Sequence, residues 1–89
     1  MGEIEMRVSG ACTVQVLLFA SLRDRAGWSS RPFTLSSQTG CTARDIWQLL
    51  DLGAWPNGVR VAVNQSFVSE HHPLAEGDEL AFLPPFTGG

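Results

Sequence analysis

The residues best suited to chemistry are the last two, Gly88 and Gly89, which follow the segment Pro84-Pro85-Phe86-Thr87. Glycine has no side chain, so a carboxylate on Gly89 could pass along a narrow channel to a reactive atom. The two prolines fix φ and lack an N–H donor, so the preceding strand must stop there. The sequence therefore predicts an extended functional tail over residues 84–89. An inert, frayed terminus is the alternative.

No other residues show the pattern of a catalytic or metal site. His71 and His72 are adjacent, and without further ligands nearby we expect them to be solvated. Cys12 and Cys41 lack a CxxC spacing, so free thiols in a reducing compartment are predicted. The dipole of a following helix could lower the pKa of Cys41. We expect the chain to bind no cofactor or metal and to catalyse nothing alone.

Length and composition limit the classes of function. A chain of 89 residues makes one domain with a modest core. Six arginines, no lysine and nine acidic residues give a net charge of -3, and no basic stripe favours nucleic acid. No apolar run is long enough to cross a membrane, and residues 1–11 lack the apolar core of a signal peptide. The expectation is a cytoplasmic protein that binds neither nucleic acid nor membrane.

Hydrophobic periodicity predicts the elements that position the tail. The predicted order is strand Thr13–Phe19, helical turn Ser21–Gly27, strand Ser29–Leu35, helix Thr42–Leu52, and strands Val59–Asn64, Phe67–Val68 and Glu79–Leu83. In the main helix, Thr42 is the predicted N-cap with Asp45 three residues on, and Gly53 is the predicted stop. One apolar stripe of that helix is predicted to face a sheet, and it comprises Ala43, Ile46, Trp47 and Leu50.

Strands with one covering helix indicate an α+β fold, a mixed sheet of about four to five strands with one main helix on one face. The element order is that of the β-grasp, or ubiquitin-like, fold, in which the last strand lies centrally beside the first. The predicted organisation is an N-terminal extension over residues 1–12, a β-grasp domain over 13–83, and the tail over 84–89.

Strand alternation also predicts an exposed apolar surface. If Val16 and Phe82 face the helix, then Phe19, Phe67 and Leu83 lie on the opposite side of the sheet. Three large apolar side chains in water are typical of a protein-binding surface. Cover by residues 1–12 is the alternative.

The motifs with the most specific spacing are Val63-Asn64-Gln65, the turn Gly77-Asp78-Glu79, and Pro84-Pro85 followed two residues later by Gly88-Gly89. On these motifs the chain resembles, from Thr13 to Gly89, the small sulfur-carrier subunit of molybdopterin synthase, the MoaD type. Thr87 stands where the ubiquitin-related modifier that also thiolates transfer RNA typically has histidine.

The resemblance implies a mechanism and its partners. An activating enzyme would use ATP and magnesium to adenylate Gly89, and sulfur from a persulfide donor would then replace AMP. The resulting thiocarboxylate would enter the large, catalytic synthase subunit, with Gly88 beside it, and donate sulfur to cyclic pyranopterin monophosphate. Two large subunits with one carrier at each end would form a heterotetramer. The resemblance assigns partner contacts to Phe19, Phe67, Leu83, Pro84, Pro85, Phe86 and Thr87.

Three other functions remain open at this point. A ubiquitin-like protein modifier would join Gly89 to lysines of other proteins, and a thiamine-pathway sulfur carrier would use the same activation with another acceptor. A plain interaction domain would have an inert tail.

Overall fold

A computed structural model describes residues 11–36 and 41–85. These residues form five strands, β1 (Ala11–Leu18), β2 (Ser30–Ser36), β3 (Arg60–Val63), β4 (Ser66–Val68) and β5 (Glu79–Leu83), and two helices, α1 (Ala20–Ala26) and α2 (Ala43–Leu50). Residues 1–10 of the predicted extension lie outside the described residues. So do Phe86, Thr87, Gly88 and Gly89 of the predicted tail.

The strands form one mixed sheet in the order β2-β1-β5-β3-β4. β5 runs parallel to β1, with Leu18 opposite Phe82, and antiparallel to β3 on its other side. The strand that leads into the tail is therefore hydrogen-bonded on both edges, which is the most constrained position in a sheet. This arrangement confirms the predicted β-grasp fold and the central place of the last strand.

The core lies between one face of the sheet and the two helices. Val16, Leu80 and Phe82 point to this covered face and are 0% exposed. Of the helix stripe, Ala43, Ile46 and Trp47 are buried and Leu50 is half-buried against them. The predicted inward residues of the last strand, Leu80 and Phe82, are confirmed.

The region from Leu18 to Gly27 differs from its prediction. β1 begins at Ala11 and ends at Leu18, so Phe19 is not a strand residue but the N-cap of α1. Where we predicted a helical turn, the structure has a helix of seven residues. This helix places Leu22 in the core, where its side chain is 2% exposed, and burial of that side chain stabilises the helix. Gly27 ends this helix at φ 85°, as predicted for a glycine stop.

The main helix begins as predicted and ends early. The backbone N–H of Asp45 donates to Thr42 Oγ1, and the N–H of Thr42 donates to Asp45 Oδ2, which makes a capping box. The helix stops at Leu50, with Asp51 in the left-handed region at φ 57°. Gly53 lies beyond the helix, and its carbonyl accepts the Trp47 Nε1 hydrogen bond at 2.9 Å. The chain therefore folds back over α2 before β3.

Candidate functional site: the open sheet face and the base of the tail

The tail begins against the body of the protein. β5 ends at Leu83, and Pro84 and Pro85 follow without secondary structure. Pro85 lies over the turn at Gly58, whose missing side chain leaves room for the proline ring. The stop after Leu83 agrees with the prediction, but the first two tail residues rest on the domain before the chain continues.

The open face is the side of the sheet opposite the helices. One row crosses it through the strand pairs Leu17 with Ala81, Ala81 with Ala62, and Ala62 with Phe67. The two alanines are short, so the middle of the row is lower than its flanks. A hollow of about 360 Å³ lies over them and reaches Leu17, Phe67 and Leu83.

A second hollow of about 600 Å³ adjoins the tail, and we call it the tail-base hollow. It is lined by Phe19, Ala20, Gly58, Arg60, Phe67, Leu83, Pro84 and Pro85. Phe19 is 43% exposed and Phe67 is 60% exposed, while Leu83 is half-buried. The structure therefore brings together five of the predicted site residues: Phe19, Phe67, Leu83, Pro84 and Pro85. Their role in partner binding stays a prediction.

A charged group is built into this apolar surface. The Arg60 guanidinium lies 4.2 Å from the centre of the Phe67 ring, within the range of a cation–π interaction. Arg60 also stands directly across from Leu83 in the β3–β5 pairing. The tail-base hollow thus presents two apolar walls and one cation, which would complement a partner surface that is apolar with an acidic group.

The two most specific internal motifs contact each other at the opposite end of β5. Asn64 Nδ2 donates to Asp78 Oδ1 at 3.0 Å, and the N–H of Glu79 donates to Asn64 Oδ1 at 3.0 Å. Asp78 Oδ2 also accepts from the N–H of Ala75, and Glu76 accepts from the N–H of Thr13. These hydrogen bonds fasten the start of β5 to the β3–β4 hairpin and to β1.

The two cysteines form a buried pair that the sequence did not predict. Cys41 Sγ donates to Cys12 Sγ at 3.0 Å. Both are free thiols buried in the core on the covered side of the sheet. Burial, with the hydrogen bond to Cys12 as a second cause, raises the pKa of Cys41 from 9.0 to about 12. The expected lowering by the helix dipole was wrong, because desolvation of the thiolate outweighs it.

The described ranges contain no group of three or more His, Cys, Asp or Glu side chains placed to hold a metal ion. His71 is exposed and lies 3.8 Å from Glu70, which pairs with Arg44. Within the same ranges, no helix has the length and apolarity needed to cross a membrane.

Sequence reasoning missed Arg60, Ala62, Ala81 and Gly58 as site residues. The first three could have been found, since the alternation that selects Leu83 in β5 also selects Ala81, and Arg60 and Ala62 alternate with the inward valines of β3. We selected only large apolar residues and so overlooked the floor of the hollow. Gly58 had no local signal, because its contact with Pro85 joins distant parts of the chain.

Together these features define the class of protein: a ubiquitin-like β-grasp domain with an open apolar face, whose central last strand leads into Pro84 and Pro85 and whose sequence ends in Gly-Gly. The crystal structure of SAMP1 from Haloferax volcanii has the same fold, with a TM-score of 0.71 and 26% sequence identity. The match covers 86% of this chain and 99% of that one.

The chain belongs to the ThiS family, which it matches over residues 16–89. It is 38% identical over 84 residues to the molybdopterin synthase sulfur carrier subunit of Escherichia coli (strain K12), covering 85% of this chain and 99% of that protein. The subunit of the same name from Drosophila yakuba is 36% identical over 83 residues, covering 85% of this chain and 90% of the relative.

Proposed function

We propose that the chain is the sulfur-carrier subunit of a molybdopterin synthase and that Gly89 carries the sulfur as a thiocarboxylate. The observation that carries this proposal is the 38% identity to the Escherichia coli carrier subunit over 99% of its length. The family match, which runs through Gly89, supports a role for the terminal glycines. The chain acts as the non-catalytic member of a heteromeric sulfurtransferase in the cytoplasm.

The chemistry proceeds in three steps on the Gly89 carboxyl group. A carboxylate oxygen attacks the α-phosphorus of ATP in a magnesium-containing activating enzyme, which releases pyrophosphate and leaves an acyl-adenylate. A persulfide then attacks the acyl carbon, and AMP departs as the C–O bond to phosphate breaks. A second thiol then attacks the donor's sulfur in the acyl disulfide: the S–S bond breaks, the thiol and the donor are left joined as a disulfide, and the thiocarboxylate leaves. The thiocarboxylate is a stronger nucleophile than the original carboxylate.

The large synthase subunit is the partner in whose active site the sulfur is transferred. The exposed Phe19 and Phe67, with Leu83 between them, give an apolar docking surface next to the tail. Docking there would place the tail at the active site of the large subunit, where sulfur passes to cyclic pyranopterin monophosphate. Because the tail ends in glycines, its carboxyl group could enter a channel too narrow for side chains.

An intact-mass measurement tests the proposal. The full chain and a chain lacking Gly89 are each purified from sulfur-replete cells that contain the activating enzyme. We expect a mass gain equal to replacement of one oxygen by sulfur, and only when Gly89 is present. An unmodified mass together with an absence of conjugates through Gly89 would refute carriage of sulfur.

A protein-modifier function is the second candidate. The likeness to SAMP1, whose full name is small archaeal modifier protein 1, favours it. Both functions begin with activation of Gly89 and differ in the acceptor. Isopeptide bonds from Gly89 to lysines of other proteins, detected by peptide mass spectrometry, would establish the modifier function. The chain has no lysine, so it cannot be the acceptor of its own diglycine.

A further inference from the structure

The contact between Gly58 and Pro85 is the feature that the proposed function does not yet use. A Cβ atom added at Gly58 would lie 3.2 Å from Pro85 Cβ and 3.3 Å from Pro85 Cγ. Carbon atoms in ordinary contact are about 3.5 to 4.0 Å apart, so a side chain at this position requires the proline ring to shift by a few tenths of an ångström. Gly58 also has φ +79°, which L side chains rarely adopt.

Both sides of this contact are attached to the same aromatic cluster in the core. Trp55 lies three residues before Gly58, and Phe82 lies three residues before Pro85. Their rings are 6.0 Å apart in an edge-to-face arrangement, and Trp47 contacts both. Packing of these rings therefore fixes the position of the turn at Gly58 relative to β5, the strand that leads to Pro85.

From this geometry we infer that Gly58 is a positioning residue: the turn at Gly58 seats Pro85 and so sets the direction of the chain at Pro85, the last described residue before the tail continues. This inference rests on the proposed function, in which the tail must reach an active site while the open face is docked. A fixed seat for Pro85 orients the chain that follows it, so that once the open face is docked the reacting group is in the correct geometry more often. The predicted consequence is faster sulfur transfer within the complex, without tighter docking.

Glycines elsewhere in the chain provide a matched control. Gly27 has φ +85° and has no atom within 4 Å of a Cβ added to it. Asparagine tolerates positive φ better than other residues with a Cβ. Gly58→Asn and Gly27→Asn therefore make the same substitution at nearly the same backbone angle, and only the first displaces Pro85.

The experiment uses three thiocarboxylated full-length proteins: wild type, Gly58→Asn and Gly27→Asn. Each is mixed with the large synthase subunit and cyclic pyranopterin monophosphate, and the single-turnover rates of sulfur transfer are compared. For Gly58→Asn we expect a fall of about tenfold in the single-turnover transfer rate, because small misplacements of a reacting group reduce rates strongly. Because Gly58 also lines the tail-base hollow, the affinity of Gly58→Asn for the large subunit can fall relative to Gly27→Asn, but by a smaller factor than its transfer rate. In the free protein, the nuclear Overhauser contacts between residue 58 and the Pro85 ring should have the same pattern in wild type and Gly27→Asn, and a changed pattern in Gly58→Asn.

Equal transfer rates in the two variants would overturn the inference, and so would a loss of affinity with an unchanged transfer rate. If Gly58→Asn does not fold, Pro85→Ala tests the contact from the other side by removing Cγ and Cδ, with slower transfer again expected. Failure of wild type to acquire sulfur would refute the proposed function instead. The contact in the free protein would still decide whether Pro85 is seated on Gly58.

Discussion

The two faces of the sheet come from the same strands, and alternate residues give them opposite properties. On the covered face, Phe82 packs edge-to-face against Trp47 and Trp55 and is 0% exposed. On the open face, Phe67 of β4, two strands away from Phe82 in the sheet order, is 60% exposed and touches the Arg60 guanidinium. Two phenylalanines in one sheet thus have very different surroundings.

This difference separates stability from recognition. Burial of apolar area stabilises a domain only where the area is removed from water, so the covered face supplies most of the folding free energy. The open face leaves its apolar area exposed in the free chain and can gain that free energy when a partner covers it. A small domain can keep such a surface because its strands are already fixed from the other side.

The largest expected effect is on the covered face. Phe82→Ala should lower the free energy of unfolding by about 3–5 kcal/mol, since it removes a buried ring and leaves a cavity beside Trp47. Domains of this size have only about 5–15 kcal/mol in total. Urea unfolding measures the change. A loss below about 1 kcal/mol, typical of surface substitutions, would contradict the division between faces.

The second effect is on recognition. Phe67→Ala should change the free energy of unfolding by no more than about 0.5 kcal/mol, as expected for an exposed residue. If the open face docks the large subunit, the same change should weaken binding by about 2 kcal/mol, roughly thirtyfold. Calorimetric titration of the large subunit measures this loss.

Leu49 provides the control for the Phe67 experiment. It is 45% exposed but lies on α2, on the helix side of the domain. Leu49→Ala removes a comparable exposed apolar group and should leave the affinity unchanged. Equal losses of affinity for both variants would mean that the open face has no special role.

How much of this division the sequence predicts depends on the range of the interactions involved. β5 and the inward direction of Phe82 follow from alternation over five residues, which is a local pattern. The same alternation predicts that Phe19, Phe67 and Leu83 lie on the opposite side of the sheet. The end of β1 was misplaced at Phe19, because the change from strand to helix there depends on burial of Leu22 against distant residues.

Contacts between distant segments gave no local signal. The pairing of Cys12 with Cys41 and the seating of Pro85 on Gly58 each depend on how the whole chain folds. The motifs around Asn64 and Asp78 were recognised as specific, yet only the structure shows that they are two halves of one hydrogen-bonded frame. Motif spacing identifies such residues without revealing their partners.

A third prediction concerns this frame, which holds the start of β5. Asn64→Ala removes the bonds to Asp78 and to the Glu79 N–H, and should cost about 1–2 kcal/mol of unfolding free energy. Affinity for the large subunit should be unaffected. Gln65→Ala is the comparison, because Gln65 shares the left-handed backbone at φ 72°. Denaturant unfolding showing equal losses for both would assign the effect to the backbone instead of the frame.

The last prediction concerns stability at alkaline pH and tests whether water is excluded from the covered side. Burial raises the pKa of Cys41 to about 12 from 9.0, so the folded protein holds this proton more tightly than the unfolded chain. The resulting stability is fully present below about pH 9 and is lost as the pH rises toward 12, by at most about 1.4 kcal/mol per pH unit. The chain has neither lysine nor tyrosine, so no side chain of these two types titrates in the same pH range.

Unfolding free energies measured from pH 8 to about 11 check this effect, with Cys41→Ala expected to flatten the decline. A thiol placed on the open face by Phe67→Cys should add no decline of its own, because an exposed thiol loses its proton at a similar pH in the folded and unfolded chains. Parallel curves for wild type and Cys41→Ala would show that water reaches the covered side at Cys41. In that case burial would distinguish the two faces less sharply for a thiol than it does for Phe82 and Phe67.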